Sequence, residues 1–232
     1  MKKLIAPMLV GLVLATGAQA QTGSTVGHTP ASSPFLDLEH AQEFSLIGGS
    51  YHAHRDPADV APQGGAIFGA RYAWRATGPL LLIGEITRIS SDRNVINPER
   101  VGKARDLGTE SRPLYTGDFS LGLGLTGGKS WHHFAPEVSG GLGLISDFRQ
   151  EPDSGGFRFG TRFALNAGAG LKYVPPGRWQ VRADIKDRMY TIGYPETYYT
   201  APTNGTAVLT VQQARSFWTH NPQFTLGLSY LF

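Results

Sequence analysis

The chain has 232 residues, 30 of them glycine, with no cysteine and a formal net charge of +3. Without cysteine, disulfides and thiolate-bound metals are excluded. The length suits a single domain.

Residues Met1 to Ala20 read MKKLIAPMLVGLVLATGAQA: two lysines, an apolar run, then Ala-Gln-Ala ahead of Gln21. This is the pattern of a secretory signal peptide with a small-x-small cleavage site. The apolar run, from about Leu4 to Thr16, is shorter than the ~20 residues a spanning helix needs. With no cysteine behind it, an acylated-cysteine anchor is not expected. Cleavage after Ala20 would leave 212 of the 232 residues and remove Lys2 and Lys3, taking the formal charge from +3 to +1. The basic balance is therefore no argument for nucleic acid. A helical membrane protein is excluded by the absence of a second long apolar run, yet the leader exports the chain. Strands that alternate apolar and polar residues reconcile these facts, because they never look hydrophobic over a sliding window.

Residues Gln21 to Gln42 are rich in Thr, Ser, Gly and Pro and read as a mostly irregular periplasmic lead-in. Residues 43–232 then divide into eight predicted strands: Glu43 to His54, Ala66 to Arg75, Leu80 to Ser90, Leu114 to Thr126, His133 to Ser146, Phe157 to Val174, Trp179 to Tyr190 and Arg215 to Phe232. The connections alternate in length. ATGP (Ala76 to Pro79), GGKS (Gly127 to Ser130) and PPGR (Pro175 to Arg178) are tight turns, rich in residues that tolerate such geometry. Arg55 to Gly65, Ser91 to Pro113, Asp147 to Gly156 and Thr191 to Ala214 are long loops. An even strand count with short turns on one side and long loops on the other predicts an all-β fold: an eight-stranded antiparallel up-and-down transmembrane β-barrel with both ends in the periplasm.

The cost of charge in lipid decides which face points where. In the seventh strand Trp179, Val181, Ala183, Ile185 and Met189 share one parity, while Gln180, Arg182, Asp184, Lys186 and Arg188 share the other. Turning the second set to lipid would cost about 2–4 kcal/mol for each Arg or Lys near the midplane. The first set is therefore outward, with Asp187 near the outer rim. The sixth strand gives Phe157, Phe159, Phe163, Leu165, Ala167, Ala169 and Leu171 outward, against Arg158, Arg162, Asn166 and Lys172 inward. The fourth gives Tyr115, Phe119, Leu121, Leu123 and Leu125 outward, with Thr116, Asp118, Ser120, Gly122 and Gly124 inward. The first strand is ambiguous at Gly48-Gly49, where a bulge would switch parity. Trp74, Trp131, Phe134, Tyr173, Trp179 and Tyr230 collect near strand ends, as interface girdles do.

The inward set thus holds Arg71, Arg75, Glu85, Asp118, Glu137, Arg158, Arg162, Lys172, Arg182, Asp184, Lys186 and Arg188. Folding about ATGP sets Arg71 opposite Glu85 as an expected ion pair, and Asp184 has Arg182 and Lys186 two residues away on its own face. An eight-stranded barrel is only wide enough to be filled by its own side chains, and charges there must be paired or hydrated. A polar plug is the expected arrangement, with inward glycines leaving room for long arginines; an ion path or an active site is the functional alternative.

The last segment, FTLGLSYLF, puts Phe224, Leu226, Leu228, Tyr230 and Phe232 on one face. In alternation and ending it resembles the small bacterial outer-membrane β-barrels, among them the OmpA transmembrane domain and the OmpX-like proteins. The RADIKDR run, Arg182 to Arg188, is similar to a form common in such proteins. What the resemblance implies is an outer-membrane location and a lipopolysaccharide-bearing lipid environment. It further implies a C-terminal signal in Phe224, Leu226, Leu228, Tyr230 and Phe232 that the barrel-assembly machinery reads. With the sequence ending at Phe232, no peptidoglycan-binding domain is expected to follow. A monomer is expected, without cofactor or nucleic-acid partner.

Catalysis has candidates but no matched motif. A barrel lipase or lipid deacylase needs a Ser activated by a neighbouring base. Ser50-x-His52 is the reverse of the deacylase His-x-Ser order, and His220 is followed by Asn-Pro-Gln. No enzyme is therefore expected. His52 and His54 are two ligands where a metal site needs more. His132 and His133 read as interface anchors, and Asn204-Gly205-Thr206 as a turn. The last loop carries Tyr194, Tyr198 and Tyr199 and a β-like run from Ala207 to Val211, which would suit an exposed hairpin for recognition. Ten strands are the alternative topology, although this run is short of the ~9–11 residues a membrane strand needs. The function expected is a structural or surface-interaction role in the cell envelope; a narrow transport pore is the alternative, and a lipid-modifying enzyme a third.

Overall fold

The computed structural model describes residues 33–203 and 205–232; the leader and most of the lead-in predicted from sequence lie outside the described residues, as does Asn204. The described residues form twelve strands, in chain order β1 (Phe35–Asp37), β2 (Gln42–Tyr51), β3 (Gly65–Thr77), β4 (Leu80–Ile89), β5 (Asp92–Ile96), β6 (Asp106–Ser111), β7 (Leu114–Gly124), β8 (Lys129–Trp131), β9 (Phe134–Ser146), β10 (Thr161–Tyr173), β11 (Trp179–Gly193) and β12 (Ser216–Leu231). Eight of them close into an antiparallel barrel in the order β2-β3-β4-β7-β9-β10-β11-β12 and back to β2. Closure is made by β12 on β2, with Leu228 opposite Leu46 and Tyr230 opposite Phe44. The edge that FTLGLSYLF would otherwise expose is thereby paired.

Alternation along each strand produces an outer face of large apolar side chains. Leu226 is 70 % exposed, and Phe119, Leu142, Leu144, Phe163, Val181, Ile185, Phe224 and Leu228 are exposed with it. Their neighbours on the opposite parity are buried: Thr116, Asp118, Ser120, Asn166, Lys172, Gln180, Arg182, Lys186, Arg188, Gln223, Thr225 and Ser229. The faces read for the fourth and seventh strands stand as predicted. Gly48-Gly49 holds no bulge: β2 runs in continuous register against both β3 and β12. Glu43, Ser45, Ile47 and Tyr51 consequently all point inward and are buried. Gly49 sits so close to β12 that a Cβ there would lie 1.9 Å from the Phe224 carbonyl oxygen.

The sixth predicted strand is shorter than its parity suggested. β10 starts only at Thr161, because Gly160 adopts a positive φ of 65° and turns the chain. Phe157 and Phe159, expected to face lipid, are instead buried among loop residues. They belong to a cluster in which Val60, Tyr198 and Leu209 from the long loops pack on Tyr51, Ile67, Ile89, Leu114, Ile145 and Tyr190 at the outer strand ends. Among the described residues the last loop forms no strand; it makes a short 3-10 turn, Glu196–Tyr199, and Leu209 bonds back to the Tyr198 carbonyl. The exposed tyrosine hairpin and the ten-stranded alternative are both set aside by this packing.

Two further loop strands, β5 and β6, form a hairpin of their own beyond the barrel. Arg93 of β5 bonds Asp153, donates to the Val60 carbonyl at 3.3 Å and lies 5.2 Å over the Phe157 ring. Three loops thus meet on one buried guanidinium. Asp56 similarly accepts from the backbone N–H of Ala61 at 2.9 Å and from the Tyr194 hydroxyl at 2.7 Å. Burial first, and the Asp56 carboxylate second, raise the Tyr194 phenol above its ordinary pKa of 10.0. A raised phenol stabilises the folded loops fully below the unfolded pKa of about 10. That stability is lost as pH climbs through the higher folded value. Alkaline titration of loop proteolysis should therefore show a rise above about pH 10 that Tyr194→Phe flattens; parallel curves for both proteins would contradict it.

At the opposite end the lead-in is not wholly irregular. Residues Phe35–Asp37 pair with Lys129–Trp131, which begins inside the turn read as GGKS and runs one residue past it, and the His132 N–H donates to the Pro34 carbonyl. The chain next reaches β2, which lies on the far side of the ring from β7 and β9. Arg75 holds it on the way, donating to the carbonyls of Leu38 at 2.7 Å and His40 at 2.6 Å. The segment crosses this mouth of the barrel as a strap.

Candidate functional site: the charged lumen

Inward glycines make this lumen possible. A Cβ on Gly170 would stand 2.2 Å from Oδ1 of Asp184, and one on Gly227 would stand 2.8 Å from Cγ of Arg182. Long cationic side chains take the space that these residues leave.

Two carboxylates organise the lower lumen. Glu43 accepts from Arg182 Nη1 at 2.6 Å, Lys172 Nζ at 3.0 Å and Arg71 Nη1 at 3.5 Å. Ser45 and Ser229 hydroxyls donate to the same carboxylate at 3.0 and 3.2 Å. Glu137 takes Arg71 Nη2 at 2.6 Å and Arg182 Nη2 at 2.8 Å, with Lys172 Nζ 2.9 Å from its other oxygen. Asp184 completes the group by accepting from Arg182 at 2.6 and 2.7 Å. Above them Lys186 bonds Glu85 at 2.7 Å and Arg188 bonds Asp118. Five cations (Arg71, Lys172, Arg182, Lys186, Arg188) thus meet five carboxylates (Glu43, Glu85, Asp118, Glu137, Asp184). All ten have a partner and the set is neutral, which is how buried charge is tolerated at all.

The partners differ from those expected. Arg71 and Glu85 are indeed opposite one another in register. They do not pair: Arg71 turns across the lumen to Glu137, and Glu85 is taken by Lys186. Asp184 pairs with Arg182 alone of its two basic neighbours. Glu43, the residue with most partners, was missed because the parity of its strand was left open at Gly48-Gly49. Its signal was visible: a carboxylate two residues from Ser45, on the parity opposite Phe44 and Leu46. Arg75 is inward but is spent on the strap. Arg158 is not in the lumen; it is exposed on the loop and donates to the Gln150 carbonyl. Arg162 keeps inward parity but sits at the outer mouth, donating to the Phe159 carbonyl at 2.9 Å.

The serine–histidine candidates lie on the outer surface. Ser50 Oγ and His52 Nε2 are 3.1 Å apart, and the His52 ring meets Phe224 edge-on. Asp187, on β11 two strands away, is bonded to His220 Nδ1 at 2.6 Å. A nucleophile needs its base oriented by a third group, and Asp187 is engaged with the other histidine. No group of three or more His, Asp or Glu suited to a metal occurs among the described residues. His133 is held by the Val174 carbonyl at 3.0 Å beside Tyr173, at the short-turn end of the barrel.

These features define a small, closed up-and-down β-barrel with an apolar outer face and a charged interior. Among solved structures the chain is similar to the outer membrane protein OprG from Pseudomonas aeruginosa, with a TM-score of 0.51 and 12% identity over 83% of this chain and 97% of that one. The N-terminal β-barrel domain of Pseudomonas aeruginosa OprF matches with a TM-score of 0.47 and 14% identity, over 83% and 98% of the two chains. Neisserial surface protein A gives 0.47 and 12%, over 86% and 98%. The likeness to OprG shows the fold. No protein-family model matches the sequence, and neither does any curated protein.

Proposed function

We infer that this protein is a monomeric barrel of the bacterial outer membrane with a filled lumen, serving the structure of the envelope or its surface contacts rather than conduction or catalysis. The observation that carries this reading is the charge set spanning the lower lumen, where Glu43 and Glu137 join cations from β3, β10 and β11. Each ion that entered would have to displace a paired, desolvated charge. The loop cluster packed on the outer strand ends and the strap beneath add to the barrier. The apolar outer face supports placement in a lipid bilayer, since so many exposed leucines and phenylalanines exceed what a soluble surface carries. Phe232 and the alternating residues before it fit recognition by the assembly machinery.

Planar-bilayer recording tests the filled lumen. The refolded wild-type barrel is expected to be silent, with folding shown by a heat-dependent shift on gels. Glu43→Ala, which removes the shared acceptor, is expected to admit small, irregular steps. Stable conductance from the wild type would overturn the reading in favour of a pore.

A further inference from the structure

The outer rim of one barrel sector carries arginines that the lumen does not use. Arg88 on β4 is exposed and lies opposite Tyr115 of β7, which in turn lies opposite Ser146 of β9. Beyond Ser146 the chain presents Phe148, 72 % exposed, its ring tilted against Tyr115 with centroids 5.3 Å apart. Next to it a surface pocket is lined by Arg149, Arg158 and Arg162 with Phe148 and Thr161. Thr161 belongs to the outward parity of β10, one step above Phe163, and Phe163 is opposite Leu144. Both of those side chains are exposed members of the apolar belt. The pocket therefore stands at the upper edge of the surface that meets lipid.

Charge there is not internally spent. Arg158 and Arg162 bond only backbone carbonyls, those of Gln150, Phe159 and Arg158, and among the described residues neither forms an ion pair. Arg149 shares Glu110 with Arg112, its own contact being 3.4 Å. The loop's own carboxylates are Asp147, Glu151 and Asp153; Asp153 is bonded to Arg93, and Asp147 accepts the Arg149 N–H at 3.1 Å. Arginine forks over an aromatic floor suit phosphate, which they bind with paired N–H donors.

We propose that Arg149, Arg158 and Arg162 bind the phosphate of an anionic lipid in the leaflet nearest the long loops, its acyl chains lying on Phe163 and Leu144. This rests on the membrane placement proposed above. The full chain, refolded into nanodiscs of neutral phosphatidylcholine, is titrated with bis-phosphorylated lipid A and followed by native mass spectrometry. Lipid A stripped of its phosphates and inorganic phosphate serve as comparison probes. Wild-type protein should prefer the phosphorylated lipid, and Arg158→Gln with Arg162→Gln should weaken that binding roughly tenfold. Arg158→Gln alone, whose side chain holds only one carbonyl, should weaken it in the same direction, guarding against a misfolded double variant. Arg178→Gln at the periplasmic end should bind as wild type. Failure to enter neutral nanodiscs would sink the membrane reading and this site together. Insertion with equal uptake of both lipids, or with binding unchanged in the variants, would overturn the site alone. Inorganic phosphate binding as tightly as the lipid would likewise refute a lipid site.

Discussion

Glu43→Ala should cost the folded barrel about 3–5 kcal/mol, the usual penalty for leaving a buried ion without its partner. Glu43 is 5 % exposed and accepts from three cations, so its removal leaves a net positive charge enclosed in the barrel wall. Denaturant unfolding in lipid vesicles, followed by tryptophan fluorescence, measures the loss. The contrast is Glu110→Ala, whose carboxylate is 40 % exposed and whose pairs with Arg112 and Arg149 belong to the surface class worth about 0–1 kcal/mol. Neutrality gives a sharper test. Adding Arg71→Ala to Glu43→Ala restores equal numbers of buried cations and anions, so the double variant should lose less than the two single losses combined. Additive losses would mean that the ten charges act as separate pairs and not as one balanced set.

Leu226→Arg should destabilise the inserted barrel by about 2–4 kcal/mol, while Thr225→Ser, its inward neighbour, should change little. Leu226 is the more exposed of the two, at 70 % against 5 %. In a soluble protein an exposed leucine accepts arginine at almost no cost. Only a hydrocarbon surrounding makes the more exposed position the more sensitive one. Unfolding in vesicles therefore reports directly on what covers the belt. A Leu226→Arg barrel as stable as wild type would remove the membrane placement.

The strands were legible because a closed barrel with one apolar and one charged face allows a residue's parity only one meaning. β7 puts its charged residue Asp118 inward, and β11 separates apolar from charged side chains everywhere but at Asp187 near the outer rim; both were read correctly from their own alternation. Glycine blurred β2, since Gly48 and Gly49 carry no side chain to declare a face. The loops were less legible for a different reason. Phe157 and Phe159 continue the alternation of β10, but the turn at Gly160 lies outside what a period of two records. Phe35–Asp37 could not be seen as a strand because its partner, Lys129–Trp131, is nearly a hundred residues away and both are only three residues long.

By itself the sequence determined the class of fold, the number of barrel strands and the inward face of β7 and β11. Each of these follows from local alternation and the price of charge in hydrocarbon. Tertiary structure alone decided who pairs with whom. Arg71 stands opposite Glu85 in the sheet yet bonds Glu137. A long guanidinium in a narrow closed barrel reaches across the lumen as readily as along its wall, and the choice is settled by which carboxylates the curvature brings within about 3 Å.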